Sequence, residues 1–193
     1  MRHDDKRQRI LAAATAVFAE RDFHRVQVSE VAERAGVGKG TLYLYFPTKD
    51  ALHEVALRAS LEGLASEVDQ ASSADVPAAE GLRAIVLAIL RFFWKRQHLL
   101  TVVQRFEQRG KRGANAGRQR AVGAIENVLE RHRLGAPAER WILGHLLMGL
   151  ARAAILNHRP ADRPEAAATR IVELYLNGIG GGVRGVRKQR GAA

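Results

Sequence analysis

The segment Val28–Lys49, VSEVAERAGVGKGTLYLYFPTK, restricts the fold of this chain more than any other stretch. Its first half predicts a short helix with one apolar face, formed by Val28, Val31, Ala32 and Ala35. Gly36 and Gly38 then break the helix, because glycine readily adopts the left-handed backbone geometry that ends one. A second helix follows and ends at Pro47, which lacks the N–H for the next hydrogen bond. We therefore expect two short helices joined by a sharp turn.

The second helix is apolar on one side only. Leu42 and Phe46 lie four residues apart and are predicted to point inward. The remaining faces carry polar, aromatic and aliphatic side chains, namely Lys39, Thr41, Tyr43, Leu44 and Tyr45. Two short helices with such an outer face are typical of a helix-turn-helix that reads DNA.

Residue chemistry suggests a role for each outer position. Lys39 can donate to guanine O6 and N7, and Thr41 can meet a base edge or a phosphate. Gly40 permits close approach of the backbone. Phosphate contacts are expected from the aromatic hydroxyls and from the lysine that opens the next helix, namely Tyr43, Tyr45 and Lys49.

From about Arg9 to Leu57 the chain resembles the tetracycline-repressor (TetR) family of bacterial transcription regulators. The specific part is AGVGKGTLYLYFPTKDAL. The resemblance implies DNA contacts at the matching positions, which are Val28, Ser29, Lys39, Gly40, Thr41, Tyr43, Leu44, Tyr45 and Lys49. One departure is that Gln27 replaces the threonine that caps this helix in many relatives, and Val28 offers no hydrogen bond.

The whole chain is predicted to be all-α. The expected domains are an N-terminal three-helix helix-turn-helix domain (1–50), a C-terminal helical ligand-binding and dimerisation domain (51–180) and a disordered basic tail (181–193). The predicted helices are Asp4–Glu20, Lys49–Asp69, Ala78–Lys95, His98–Gln108, Arg118–Arg133, Pro137–Asn157 and Pro164–Gly178, besides the two of the motif. Loops are predicted at Ala71–Pro77, which is small and polar, and at Arg109–Gly117, which is glycine-rich and basic.

Composition narrows the class of protein. The 193 residues include no cysteine, which excludes disulfides, thiol nucleophiles and Cys-ligated zinc. The seven histidines form no recognisable zinc pair, so we predict neither an enzyme nor a metal or other cofactor. The formal net charge is +11, yet residues 1–50 hold nine basic and seven acidic side chains, so the DNA prediction rests on the motif. No signal peptide or membrane-spanning stretch is visible, and we expect a cytoplasmic protein without a membrane partner.

The C-terminal part is expected to hold a small-molecule effector. Trp141, His145 and Met148 share a helix face, and Phe93 and Phe106 add aromatics, which suits a mostly apolar ligand. Arg105 and Arg109 could bind an anionic head such as a phosphate-bearing thioester. The aromatic set could equally be ordinary core, and the basic segment 105–120 could meet DNA backbone or only solvent.

The last two helices offer apolar surface for a homodimer, at Leu146, Leu150, Ala153, Ile171, Leu174, Tyr175 and Ile179. We therefore expect a ligand-responsive repressor that binds a palindromic DNA operator as a dimer and releases it when the effector binds. The alternatives are a regulator of lipid metabolism that senses an anionic fatty acyl thioester, a helical binding protein with a vestigial DNA module, and an activator or DNA-organising protein.

Overall fold

A computed structural model describes residues 3–94, 96, 99, 103, 114–159 and 161–186. Its helices are α1 (His3–Glu20), α2 (Val28–Arg34), α3 (Lys39–Tyr45), α4 (Lys49–Ser73), α5 (Ala78–Trp94), α6 (Ala114–Arg131), α7 (Arg140–Asn157) and α8 (Pro164–Val186). Short 3₁₀ turns lie at Phe23–Arg25 and Pro137–Glu139. Every regular element in these ranges is a helix, which confirms the all-α prediction.

Contacts divide the chain into two units, Met1–Gly63 and Leu64–Ala193, and the division falls inside α4. Unit 1 is built on α1, α2, α3 and the start of α4. Its largest fully buried side chains are Ile10, Val17, Val31, Leu42 and Leu52. The apolar faces of both motif helices lie in this core, as their spacing predicts.

Unit 2 packs α5 against α8 and α6 against α7. The fully buried centre includes Leu82, Leu90, Ile125, Leu129 and Leu147. Tyr175 of α8 is buried and donates its hydroxyl to the Leu143 carbonyl oxygen of α7 at 3.1 Å. Burial raises the pKa of Tyr175 well above the usual range, because the apolar surroundings disfavour the phenolate.

Three helix boundaries differ from the predicted ones by four residues or more. A smaller difference is that α7 begins at Arg140 instead of Pro137, because Pro137–Glu139 forms a separate 3₁₀ turn. Helix α4 runs to Ser73 where a loop was expected from Ala71, and the end of α4 is held by Arg131 of α6. The Arg131 guanidinium donates to the carbonyl oxygens of Ser72 and Ala74 at 2.7 and 2.9 Å. Carbonyls at a helix end need such donors, so α4 gains three residues of the predicted loop, Ala71–Ser73, with the help of a distant arginine.

The other two differences lie at the start of α6 and the end of α8. Helix α6 begins at Ala114, inside the predicted loop 109–117. Helix α8 continues to Val186, so the predicted tail 181–193 opens with helix, and residues 187–193 lie outside the described ranges. The predicted helix His98–Gln108 lies largely outside them as well. Over the residues that are described, no helix is both long enough and apolar enough to cross a bilayer.

Candidate nucleic-acid interface

The turn between α2 and α3 is a Schellman motif centred on Gly36. Gly36 has φ 63°, and its N–H donates to the Glu33 carbonyl at 2.9 Å. The next N–H, that of Val37, donates to the Ala32 carbonyl at 2.9 Å. These two bonds satisfy carbonyls at the end of α2 and turn the chain sharply. The left-handed backbone is easiest for glycine, which explains the residue at this point.

Arg9 of α1 fixes the same turn from outside. Its guanidinium donates to the carbonyl oxygen of Ala35, and to that of Gly36 at 3.2 Å. Arg9 thus ties α1 to the point where α2 ends and the path to α3 begins. Sequence reasoning missed this role, because a contact between residues 26 apart leaves no local signal.

Helix α3 buries one side and exposes the other. Leu42 is fully buried and Phe46, directly after the helix, is nearly so. On the outside, Leu44 is 84% exposed and Tyr43 is 38% exposed. Lys39 and Gly40 are exposed too, and Thr41 and Tyr45 are half-buried. The structure therefore gathers the predicted contact residues of α3 on and around one outward surface.

Two contacts position Lys49 beside this surface: a helix cap made by Thr48, and a ring contact that Lys49 makes with Phe23. The Thr48 hydroxyl accepts the N–H of Ala51 at 3.0 Å, which caps α4 and makes Lys49 its first residue. The Lys49 ammonium lies 4.5 Å from the centre of the Phe23 ring, a cation–π contact. Sequence reasoning did not single out Thr48, although a threonine just before a helix is a capping signal. It also missed Phe23, whose contact with Lys49 depends on tertiary structure.

The two predicted contacts on α2 are placed differently. Ser29 is exposed, and its hydroxyl donates to the Gln27 side-chain oxygen at 3.5 Å. Val28 is only 8% exposed and belongs to the core of unit 1. The Val28 side chain is therefore a packing group, because the apolar stripe of α2 begins with it, and only its backbone remains for DNA.

The residues predicted to hold an effector are not gathered into one site within the described part of unit 2. Phe93 is buried in the core, and Met148 is half-buried on α7. Trp141 is 58% exposed, and His145 is exposed with its Nδ1 2.8 Å from the Trp141 carbonyl oxygen. The other predicted residues, Arg105, Phe106 and Arg109, lie outside the described ranges.

Helix α7 explains this placement. Its buried stripe consists of Gly144, Leu147, Ala151 and Ile155. Gly144 brings α7 close to α6, since an added Cβ there would lie 3.1 Å from Val122 Cγ1. Trp141 and His145 fall outside this stripe, as do Ile142, Leu146 and Leu156, which are large, apolar and at least half exposed.

The residues predicted to form the dimer interface also divide into exposed and buried ones. Leu146 and Leu174 are 52% and 54% exposed, and Ala153 is exposed. Leu150 is half-buried, whereas Ile171 and Tyr175 are buried within the protomer. The Ile179 side chain lies outside the described set. The exposed apolar surface therefore lies mainly on α7, with Leu174 of α8.

The match to a known protein family falls within unit 1, whereas a more distant relative matches most of the chain. The family described as "Bacterial regulatory proteins, tetR family" matches residues 10–56. The uncharacterized HTH-type transcriptional regulator YhgD of Bacillus subtilis (strain 168) is 28% identical over 176 residues, covering 89% of this chain and 81% of that protein. The HTH-type transcriptional activator FasR of Mycolicibacterium smegmatis is 37% identical over 89 residues, which cover 46% of this chain and 41% of FasR.

The fold extends the likeness beyond the motif. The crystal structure of FadR from Bacillus subtilis in complex with stearoyl-CoA has a TM-score of 0.65, with 18% identity, and covers 89% of this chain and 98% of that one. At that identity the likeness concerns the fold alone. The helix-turn-helix of this chain, residues 10–56, therefore matches the tetR family of bacterial regulatory proteins, and the helical architecture of the chain is shared with a transcriptional regulator.

Proposed function

We propose that the protein is a ligand-responsive repressor that binds a palindromic DNA operator as a homodimer. The observation that carries this proposal is the outward surface of α3, where Lys39, Gly40, Tyr43 and Leu44 are exposed while Leu42 fixes the helix from behind. One short helix reads few bases, so two copies would lie in successive major grooves. Such a regulator acts by binding instead of catalysis, in the cytoplasm, where bacterial DNA lies.

The homodimer is supported by the exposed apolar surface of α7. Trp141, Ile142, Leu146 and Leu156 are each at least half exposed, and Leu174 of α8 is exposed as well. Several large apolar side chains exposed on one helix mark an interaction surface more often than free solvent. In a two-fold dimer each copy would present the same surface to the other, and two DNA-reading units would be paired.

The effector is proposed to bind unit 2, near the end of α5. Phe93 lies there, and α5 packs against α7, which carries half-buried Met148. Trp141 and His145 we reassign to the dimer surface, because their side chains are exposed on α7. Arg105, Phe106 and Arg109 remain the proposed residues for an anionic head. An effector that binds the DNA-free form more tightly lowers operator affinity by that same ratio.

A specific observation favours a fatty acyl thioester as the effector class. The FadR structure that shares this fold is in complex with stearoyl-CoA. A curated fatty acid metabolism regulator of Bacillus subtilis is also 49% identical over 45 residues, 23% of each chain. The acyl chain would need apolar contacts such as Phe93 and Met148, and the phosphates would need cations such as Arg105 and Arg109.

The test has two stages. Binding sites are selected from random duplexes, and their affinity is compared with that of unselected duplex at one salt concentration. We expect a palindromic consensus and at least about a thousand-fold preference; less than about ten-fold would contradict a site-specific regulator. Acyl thioesters, free fatty acids and aromatic compounds are then added to the complex. Release of the operator, with a concentration-dependent rise in the unfolding temperature, would identify the effector class.

The direction of regulation needs a separate measurement. A reporter under a promoter that carries the selected site should be silenced by the protein and restored by the effector. A rise in transcription on adding the protein would instead indicate an activator, which is what FasR is.

A further inference from the structure

Leu44 lies on the opposite side of α3 from its buried residues. At about 100° per residue, Leu44 is about 160° around the helix from both Leu42 and Phe46. Those two are 0% and 3% exposed, whereas Leu44 is 84% exposed. A leucine at the centre of the outward face contributes little to the core of its own protomer, so its presence calls for another explanation.

The surroundings of Leu44 leave it free to enter a groove. Side chains on a helix lean toward the preceding turn, and the residue one turn earlier is Gly40. A Cβ added to Gly40 would meet nothing within 4 Å, so the space beside Leu44 is open. The neighbouring outward groups, Lys39 and Thr41, are polar. The adjacent Tyr43 is 38% exposed and ends in a hydroxyl, so Leu44 is the purely aliphatic group among these four outward side chains. Leu44 and the Tyr43 ring together are too small for a protein-docking patch, which usually spans several hundred Å².

The chemistry of an isobutyl group selects its target. It can neither donate nor accept a hydrogen bond, so it gains nothing from the polar base edges that Lys39 can read. In unmodified DNA, the C5-methyl of thymine is the apolar group that the major groove presents. We propose that Leu44 is a specificity-determining residue that packs on a thymine methyl in each half-site. This inference rests on the proposed DNA-binding function and adds the base that one position requires.

The decisive experiment removes the methyl from the DNA and leaves the protein unchanged. Uracil differs from thymine only by the absent methyl, so both hydrogen-bonding edges are preserved. Each thymine of the selected site is replaced by uracil in turn, and the dissociation constant is measured. One position per half-site should lose about four-fold, the effect expected for one buried methyl, and substitution in both half-sites should lose about fifteen-fold.

A second comparison at the same base pair tests the methyl group on cytosine instead of on thymine. Cytosine in place of that thymine should weaken binding, and 5-methylcytosine should bind about four-fold better than cytosine because it restores the apolar group. This comparison separates the methyl from any general effect of uracil on the shape of the duplex.

Leu44→Ala then assigns the effect to this residue. The variant should retain the fold, because Leu44 is 84% exposed, and thermal unfolding checks this. With Leu44→Ala, thymine and uracil should bind equally at the sensitive position. Tyr43→Phe is the matched control: it should bind all DNA more weakly yet keep the four-fold dependence on the methyl.

Two results would overturn the proposal for Leu44 and leave the proposed DNA-binding function standing. One is a protein that prefers its selected site but loses less than two-fold at every uracil. The other is a uracil penalty that persists unchanged in Leu44→Ala, since another residue would then read the methyl. A protein that prefers no duplex over any other would overturn the proposed function, and this inference with it.

Discussion

At the scale of single residues, Lys49 is a positive point charge at the start of α4. Its ammonium rests on the Phe23 ring at 4.5 Å, so the side chain is partly ordered before DNA arrives. The aromatic face attracts the cation without neutralising it. The ring contact therefore leaves the Lys49 ammonium available for the proposed phosphate contact, with which a carboxylate partner would compete.

Replacing Lys49 by alanine should weaken binding to every DNA sequence by a similar factor, because a phosphate carries no sequence information. The slope of log affinity against log salt should become shallower by about one unit. Arg58→Ala is the matched control. It also removes one positive charge from α4, but about 13 Å further along at 1.5 Å per residue. If Arg58→Ala changes the slope as much as Lys49→Ala, Lys49 makes no specific phosphate contact.

Lys39 should behave differently, since it is exposed at the first position of α3 and is proposed to read a base. Lys39→Ala should cost about 1–3 kcal/mol on the selected site and relax the preference at a guanine position. Repeating the site selection with the variant measures this. An unchanged consensus with uniformly lower affinity would move Lys39 from base reading to phosphate binding.

At the scale of elements, helix ends carry much of the structural information. The end of α6 repeats the Schellman geometry of α2, with Leu134 N–H donating to the Leu129 carbonyl at 2.8 Å. The residue at the turn is Arg133, with φ 54°, where α2 has Gly36. A residue with a side chain costs about 1–2 kcal/mol in left-handed geometry. The turn at Arg133 is therefore strained, whereas the turn at Gly36 is not.

Opposite substitutions at these two turns should have opposite effects. Arg133→Gly should raise the free energy of unfolding by up to about 1 kcal/mol, because relief of the left-handed strain exceeds the added entropy of unfolded glycine. Gly36→Ala should lower it by about 1–2 kcal/mol, since alanine would have to adopt the left-handed φ of 63° and its Cβ would also displace the Arg9 guanidinium. Denaturant unfolding of both variants measures this. A stabilising Gly36→Ala would contradict the assigned geometry.

Tyr175, which joins α7 and α8, makes the free energy of unfolding depend on pH. Its raised pKa means that the unfolded chain releases the phenolic proton first, near pH 10. Stability from this group is therefore fully present below about pH 10 and is lost above it, by up to about 1.4 kcal/mol per pH unit. Tyr175→Phe should cost about 1 kcal/mol at pH 7, since it removes the hydrogen bond to the Leu143 carbonyl.

The measurement for Tyr175 compares unfolding of the two proteins between pH 7 and pH 11. The free-energy difference between wild type and Tyr175→Phe should shrink as pH rises above about 10, because only wild type loses this contribution. A difference that stays constant across the range would show that the hydroxyl titrates normally in the folded state.

Local sequence predicts elements well where each residue acts through its neighbours. The inward stripes of α2 and α3, the break at Gly36 and the stop at Pro47 follow from spacing and backbone preference alone. The end of α4 does not, because Ser72 and Ser73 resemble a loop and remain helical with help from Arg131. Likewise, the Arg9 and Phe23 contacts of the DNA-reading unit join residues that only tertiary structure brings together.

At the scale of the whole molecule, α7 shows why periodicity could not locate an effector. Spacing correctly puts Trp141, His145 and Met148 toward one side of the helix. However, α7 is apolar nearly all around, so the pattern does not say which side faces the core. The small residues Gly144 and Ala151 decide this, because they let α7 approach its neighbours closely. The aromatic side is then left outward.

Leu146→Arg should convert the proposed dimer into monomers of about 21.2 kDa, measured by light scattering across a range of concentrations. The change occurs twice in a two-fold interface, so the dimer should weaken by roughly 100- to 1,000-fold. The fold should survive, because Leu146 is 52% exposed in one protomer. Asn127→Arg, which adds the same charge to the exposed side of α6, should leave the dimer intact. Equal behaviour of both variants would contradict the proposed interface.

Evolution can alter α3 one side at a time, because Leu42 and Leu44 lie on opposite faces of the helix. Most substitutions persist only if the protein stays above its stability threshold. A change at Leu42 would cross that threshold easily, whereas a change at Leu44 touches no core contact. A duplicated gene could therefore acquire a new set of target promoters through one codon. The two descendants would diverge in what they control long before they diverge in how they fold.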